Sequence, residues 1–132
     1  MAKTVLIVDD ARGLQKIYDE WLRAYPGEPL ELIFAANGRE ALDRLAEHPL
    51  LDLIITDVKM PEMDGPTFLA RIRRDYAAFN IPVILASTRA AQVVVHEGRA
   101  AELGITTYLL KPFGRDQLFA ALDAIWSSRP AS

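Results

Sequence analysis

The stretch TVLIVDD, Thr4 to Asp10, sets an uninterrupted apolar run directly against two aspartates. Its apolar positions are consecutive instead of alternating, so both faces of the segment must be covered, as they are in a strand of a parallel sheet. Two further runs share this character, Leu53–Thr56 and Val83–Ala86, and Leu30–Ala35 and Thr107–Leu110 complete a set of five short β-rich segments. Longer segments with helical spacing separate them. In the first, Leu14, Ile17, Tyr18, Trp21, Leu22 and Tyr25 form one wide apolar stripe, closed by Pro26-Gly27. The second follows Asn37-Gly38 and turns Ala41, Leu42 and Leu45 inward; the third opens at Gly65-Pro66 with Phe68, Leu69 and Ile72 inward. The last runs from about Arg115 to Trp126. The segment from about Ala90 to Leu103 reads as the weakest helix and the most mobile part, because Val93–Val95 are β-branched and Gly98 interrupts it. Strand-helix alternation with right-handed crossovers predicts an α/β, flavodoxin-like (βα)5 fold: a doubly wound, five-stranded parallel sheet of order 2-1-3-4-5.

Composition agrees with one domain spanning 1–132, its motif-bearing part at about 4–126 and a short polar tail at 127–132. The 132 residues carry 51% hydrophobic and 25% charged side chains, a net charge of −3 and no cysteine. Thiol catalysis, cysteine-zinc sites and disulfide scaffolds are excluded. The longest charge-free stretch, Tyr76 to Thr88, is shorter than the about 18 apolar residues a membrane helix requires, and Pro82 breaks it. The apolar run at Thr4–Val8 is also too short for a secretory signal, so a cytoplasmic location is expected. Interspersed charges of both signs give no nucleic-acid footprint, so no direct nucleic-acid partner and no membrane partner are expected.

Ligands on such sheets bind at the carboxyl ends of the strands. Those ends carry Asp9 and Asp10, then Asp57, then Ser87, then Lys111 before Pro112. Carboxylates gathered in a cleft repel one another, and a raised pKa or a bound cation relieves them. Oxygen donors without histidine or cysteine select a hard ion such as Mg²⁺. A lysine and a hydroxyl beside it suit phosphoryl oxygens, so the group reads as a carboxylate that accepts a phosphoryl group. Each residue taken singly also has an ordinary reading: Asp9-Asp10 as a cap of the first helix, Asp57 as a turn former, Ser87 as a strand-end cap, Lys111 as a solvated charge.

The motifs LIVDD (Leu6–Asp10), ANGREAL (Ala36–Leu42), DLIITDVKMPEMDG (Asp52–Gly65), PVILAS (Pro82–Ser87) and YLLKPF (Tyr108–Phe113) resemble the receiver domain of two-component response regulators. The resemblance runs from about Thr4 to Trp126. It implies a Mg²⁺-dependent domain in which Asp57 is phosphorylated by a sensor histidine kinase or a histidine phosphotransfer protein, changing the surface offered to a downstream effector. It further implies that Asp10 and Asp57 ligate the metal, that Asp9 holds it mostly through water, and that the Lys59 backbone carbonyl adds an oxygen. Ser87 and Lys111 would grip the phosphoryl group, and Tyr108 matches the family's aromatic switch. Such a domain catalyses its own phosphorylation and slow dephosphorylation without turning over a separate substrate, and a monomer is expected before phosphorylation.

Three departures stand out. Thr88 replaces a usual small residue, Gly114 replaces a usual capping Asp or Ser, and the segment from Ser87 to Lys111 is about two residues longer than is typical. An aspartyl-phosphate hydrolase would need an acid at the position held by Lys59, and a flavin site would be repelled by Asp9-Asp10. The remaining alternative is a receiver-like interaction module that works without phosphorylation. Lys59 and Arg89, two positions after Asp57 and Ser87, cannot accept a hydrogen bond from an attacking water, so slow self-dephosphorylation is expected.

Overall fold

A computed structural model of the chain describes residues 2–75, 80–88 and 103–127. It contains β1 (Lys3–Val8), α1 (Arg12–Arg23), β2 (Leu30–Ala35), α2 (Gly38–Glu47), β3 (Leu53–Thr56), α3 (Gly65–Asp75), β4 (Val83–Ser87), β5 (Thr107–Leu110) and α4 (Arg115–Ser127). The strands form one parallel sheet in the order β2-β1-β3-β4-β5. The expected weak helix at 90–103 lies outside the described residues apart from Leu103.

Strand periodicity divides the core into two layers. Leu6 and Val8 of β1, Ile54 of β3 and Val83 and Leu85 of β4 face one way, under Ala41 and Leu45 of α2 and Phe68, Leu69 and Ile72 of α3. Val5, Ile7, Leu53, Ile55, Ile84 and Ala86 face the other way, under Tyr18 and Leu22 of α1 and Leu118, Leu122 and Ile125 of α4. β1, β3 and β4 are therefore sandwiched, which is why their sequences are apolar at successive positions. Among the described residues, no helix is long and apolar enough to cross a membrane.

The first helix stops earlier than its stripe suggests. Ala24 and Tyr25 donate backbone N–H groups to Trp21 and Leu22 (3.0 and 3.2 Å), tight i→i−3 bonds that unwind α1 after Arg23, before Pro26 is reached. Tyr25 keeps its apolar role outside the helix. Its ring lies edge-on to Phe119 (5.3 Å) and Trp126 (6.0 Å), and its hydroxyl donates to Asp123 Oδ1 at 2.5 Å.

Local chemistry starts the other helices. Asn37 Oδ1 accepts from Glu40 N–H (2.9 Å) while Glu40 Oε1 accepts from Ala36 N–H (3.2 Å), a reciprocal cap on α2. Asp64 Oδ1 accepts from Thr67 N–H (2.8 Å) at the start of α3. At α4 the glycine cap is compensated, because Gln117 Oε1 accepts the Gly114 N–H at 2.8 Å.

The loop from β3 to α3 is tightly folded on itself and against α2. Gly65 donates to Val58 O (2.9 Å), and a Cβ at Gly65 would stand 2.0 Å from the Asp57 carbonyl oxygen. Glu62 has φ +63°, a left-handed conformation that side chains disfavour, and Gly38 N–H donates to Met63 O (2.8 Å), bolting this loop to α2. Gly65→Ala should therefore cost about 2–3 kcal/mol, since the clash is with backbone. Gly13→Ala, where nothing lies within 4 Å of the added Cβ, should gain about 0.5–1 kcal/mol. Urea unfolding of the two variants beside the parent checks both signs.

Candidate active site

β1 lies between β2 and β3, so the chain reverses its winding there and leaves a crevice at the carboxyl ends of the strands. Asp9 follows β1 with its N–H on Ala35 O (3.0 Å), and Asp57 follows β3 with its N–H on Val8 O (2.9 Å). Backbone bonds to neighbouring strands thus hold both residues. Lys111 follows β5, its N–H on Ser87 O at 2.9 Å.

The ammonium of Lys111 joins them, with Nζ 3.0 Å from Asp9 Oδ2 and 3.2 Å from Asp57 Oδ2. Asp9 is 1% exposed, and its second oxygen accepts from Ala11 N–H (2.9 Å). Gln15 Nε2 donates to the Asp9 carbonyl at 2.6 Å, pinning the β1–α1 turn. Asp9 is therefore not the cap of α1, whose N-cap is Ala11 with no side-chain bond. Asp57 Oδ1 accepts from Val58 N–H at 2.7 Å. Asp10 is exposed, yet one oxygen each of Asp9, Asp10 and Asp57 lie within 4.8 Å of one another.

Ser87 is buried at the end of β4 and its hydroxyl donates to Thr88 O at 3.3 Å. Tyr108 is half-buried on β5 against the layer beneath α2 and α3, and burial pushes its phenol pKa upward. Lys59 has an exposed side chain, and Arg89 lies outside the described residues. Thr88 is exposed and lines an apolar cavity beside Lys111.

Asp57 carries the electrostatic signature of the crevice. Burial raises its pKa above the usual carboxylate range, and the Asp9 charge adds to this; Lys111 and the Val58 N–H oppose without cancelling. Three carboxylates face one ammonium, an excess of two negative charges when all are ionised. All the donors are oxygens, without histidine or cysteine, a set that fits a small hard divalent cation.

Tyr18 and Trp21 of α1 gained no site role from the sequence, where they belong to an apolar stripe. Both rings meet Phe113, two residues beyond Lys111. No local spacing signals that contact, because it joins α1 to the turn after β5.

The family model for the response regulator receiver domain matches residues 5–123. Response regulator Rre1 of Synechocystis is 32% identical over 129 residues, covering 98% of this chain and 54% of that protein. A putative response regulator from Chloroflexus aurantiacus superposes with a TM-score of 0.82 at 29% identity, covering 96% of this chain and 99% of that one. The receiver domain of sensor histidine kinase PA1611 from Pseudomonas aeruginosa, solved with a magnesium ion in its active-site cleft, superposes at 0.80 with 27% identity, covering 97% of this chain and 100% of that one. The chain spans about half the length of Rre1 and less of other curated relatives.

The raised Asp57 pKa has a stability consequence. The folded state holds the Asp57 proton more tightly than the unfolded chain, so ionisation costs stability as pH rises from about 4 through the raised value. Without divalent cations at neutral pH, Asp57→Asn should melt above the parent by about 2–8 °C. The gap should close as pH falls below about 4, where the unfolded carboxyl is protonated too. Melting curves against pH check this.

Proposed function

The chain belongs to the response regulator receiver domain family, and on that footing we propose that it is a phosphorylation-driven switch in which Asp57 accepts the phosphoryl group. The observation that carries the reading is the Lys111 ammonium shared between Asp9 and Asp57. Asp57 is oriented by the Val58 N–H on one oxygen and by Lys111 on the other. A carboxylate oxygen of Asp57 forms the P–O bond as the P–N bond of a donor phosphohistidine breaks. Lys111 then has a phosphoryl oxygen to neutralise in place of a bare carboxylate. Ser87 offers its hydroxyl to another oxygen, and Tyr108 follows that movement from the adjacent strand.

Asp10 and Asp57, the Lys59 carbonyl and, through water, Asp9 would hold Mg²⁺. When bound, the ion supplies positive charge that neutralises the carboxylates and the incoming phosphoryl oxygens. Lys59 and, two positions after Ser87 in the sequence, Arg89 offer a hydrolytic water no hydrogen-bond acceptor, which favours a long-lived phosphoprotein. The partners proposed are a sensor histidine kinase or histidine phosphotransfer protein as donor and an effector protein as target. We propose a cytoplasmic setting, with residues 1–132 acting as one receiver unit that is monomeric before phosphorylation.

Acetyl phosphate supplies the test, because it needs no partner protein. With millimolar Mg²⁺ the parent should gain the mass of one phosphoryl group, mapped to the peptide containing Asp57. Removing Mg²⁺ with a chelator should abolish the gain, and Lys111→Ala should slow it at least tenfold. Equal labelling of Asp57→Asn would overturn the assignment.

A further inference from the structure

Lys111 is fixed at two points, its backbone N–H on Ser87 O and its ammonium between Asp9 and Asp57. Four methylene groups join these points, and no ladder bond constrains them. Beside the stem lies an apolar cavity of about 370 Å³ walled by Leu14, Ile17, Trp21, Thr88, Pro112 and Phe113. A lysine with open room on one side has other rotamers to enter, and its side-chain entropy favours leaving any single one.

Phe113 is the wall that can close that room, since it ends the turn Lys111-Pro112-Phe113. Its ring centroid is 5.6 Å from that of Tyr18, tilted at 38°, and 6.1 Å from that of Trp21, nearly edge-on at 67°. Both distances fall in the range where aromatic pairs attract. Tyr18 is 1% exposed and immobilised in the core beneath α1, and Trp21 stands three residues later on the same face. α1 thus grips Phe113 from two directions, and the grip reaches Lys111 through a two-residue turn.

We propose that Tyr18 and Trp21 are positioning residues for Lys111, holding its ammonium between Asp9 and Asp57 by clamping Phe113. The proposal rests on Lys111 serving the acceptor Asp57, and it goes beyond that reading by giving the aromatic face of α1 a part in phosphoryl acceptance. Shortening Trp21 enlarges the cavity, Phe113 tilts into it, and Lys111 exchanges its carboxylates for water.

Amine acylation mapped by mass spectrometry tests the clamp without any phosphoryl donor, because an amine held between two carboxylates is shielded from the reagent. With a water-soluble acetylating ester, Trp21→Ala and Phe113→Leu should raise acylation of Lys111 at least threefold relative to exposed Lys16. Trp21→Phe should restore the parental rate. Phe119→Leu, which shortens a ring on the Tyr25 side of α4, should leave Lys111 unchanged. The initial rate of Asp57 labelling from acetyl phosphate should fall several-fold in Trp21→Ala and recover in Trp21→Phe. Phe113→Leu, which keeps most of the apolar volume, decides the matter if Trp21→Ala does not fold. A folded variant of either kind with parental Lys111 acylation overturns the clamp. Raised acylation in a protein whose parent takes up no phosphoryl group would instead uphold the clamp and overturn the function proposed for Asp57.

Discussion

One ammonium faces three carboxylates at the carboxyl edge of the sheet, and the fold is arranged to hold them there. Lys111 and Asp9 are 102 positions apart in the chain, yet their side chains meet at 3.0 Å. The parallel register does this: β1, β3, β4 and β5 all end on one edge, so Asp9, Asp57, Ser87 and Lys111 all stand at the same ends of their strands. Burial removes the water that would screen the charges, and the excess negative charge lifts the Asp57 pKa. The site is therefore electrostatically unfinished when it stands alone. On the function proposed for Asp57, a divalent cation and a phosphoryl group would complete it.

Rigidity around Asp57 follows from the same need. Carboxylates that repel will separate unless their backbones are held, and Asp9 and Asp57 are each tied to a neighbouring strand. The β3–α3 loop adds constraints that cost energy of their own, with Glu62 in a left-handed conformation and Gly65 against the Asp57 carbonyl. Backbone strain of this kind persists where surrounding structure determines it, and it gathers at functional sites. Lys111 is the contrasting case, firmly placed at its backbone and with an apolar cavity beside its stem. Its turn relies on the aromatic contacts of Phe113 with Tyr18 and Trp21.

Much of this was readable from the sequence, because the deciding signals are local. Runs such as Val5–Val8 and Leu53–Ile55 identify sandwiched strands, and the aspartates just beyond them mark the crevice. The end of α1 is not legible in the apolar pattern, because Tyr25 continues the helical stripe while reaching its partners Phe119, Trp126 and Asp123 from outside the helix. Apolar periodicity records burial, and burial survives the loss of helical geometry. The Gln117 bond that compensates Gly114 needed a side chain three residues ahead to be read as a cap. Asp9, Asp10, Asp57 and Lys111 do come together, but Asp9 binds Ala11 and Lys111 and does not cap α1. The Tyr18–Phe113–Trp21 contact joins distant segments, and a periodicity reading cannot pair them.

The proposed function makes this crevice a cation-dependent site, because its carboxylates outnumber its ammonium. The most direct measurement is the melting temperature of the unphosphorylated parent titrated with Mg²⁺ from micromolar to tens of millimolar, at constant ionic strength. Binding to the folded state alone should raise stability by about 2.7 kcal/mol once Mg²⁺ exceeds its dissociation constant a hundredfold. The account predicts a saturable rise in the millimolar range that disappears in Asp10→Ala. A flat curve for the parent, or an equal rise in Asp10→Ala, would contradict it.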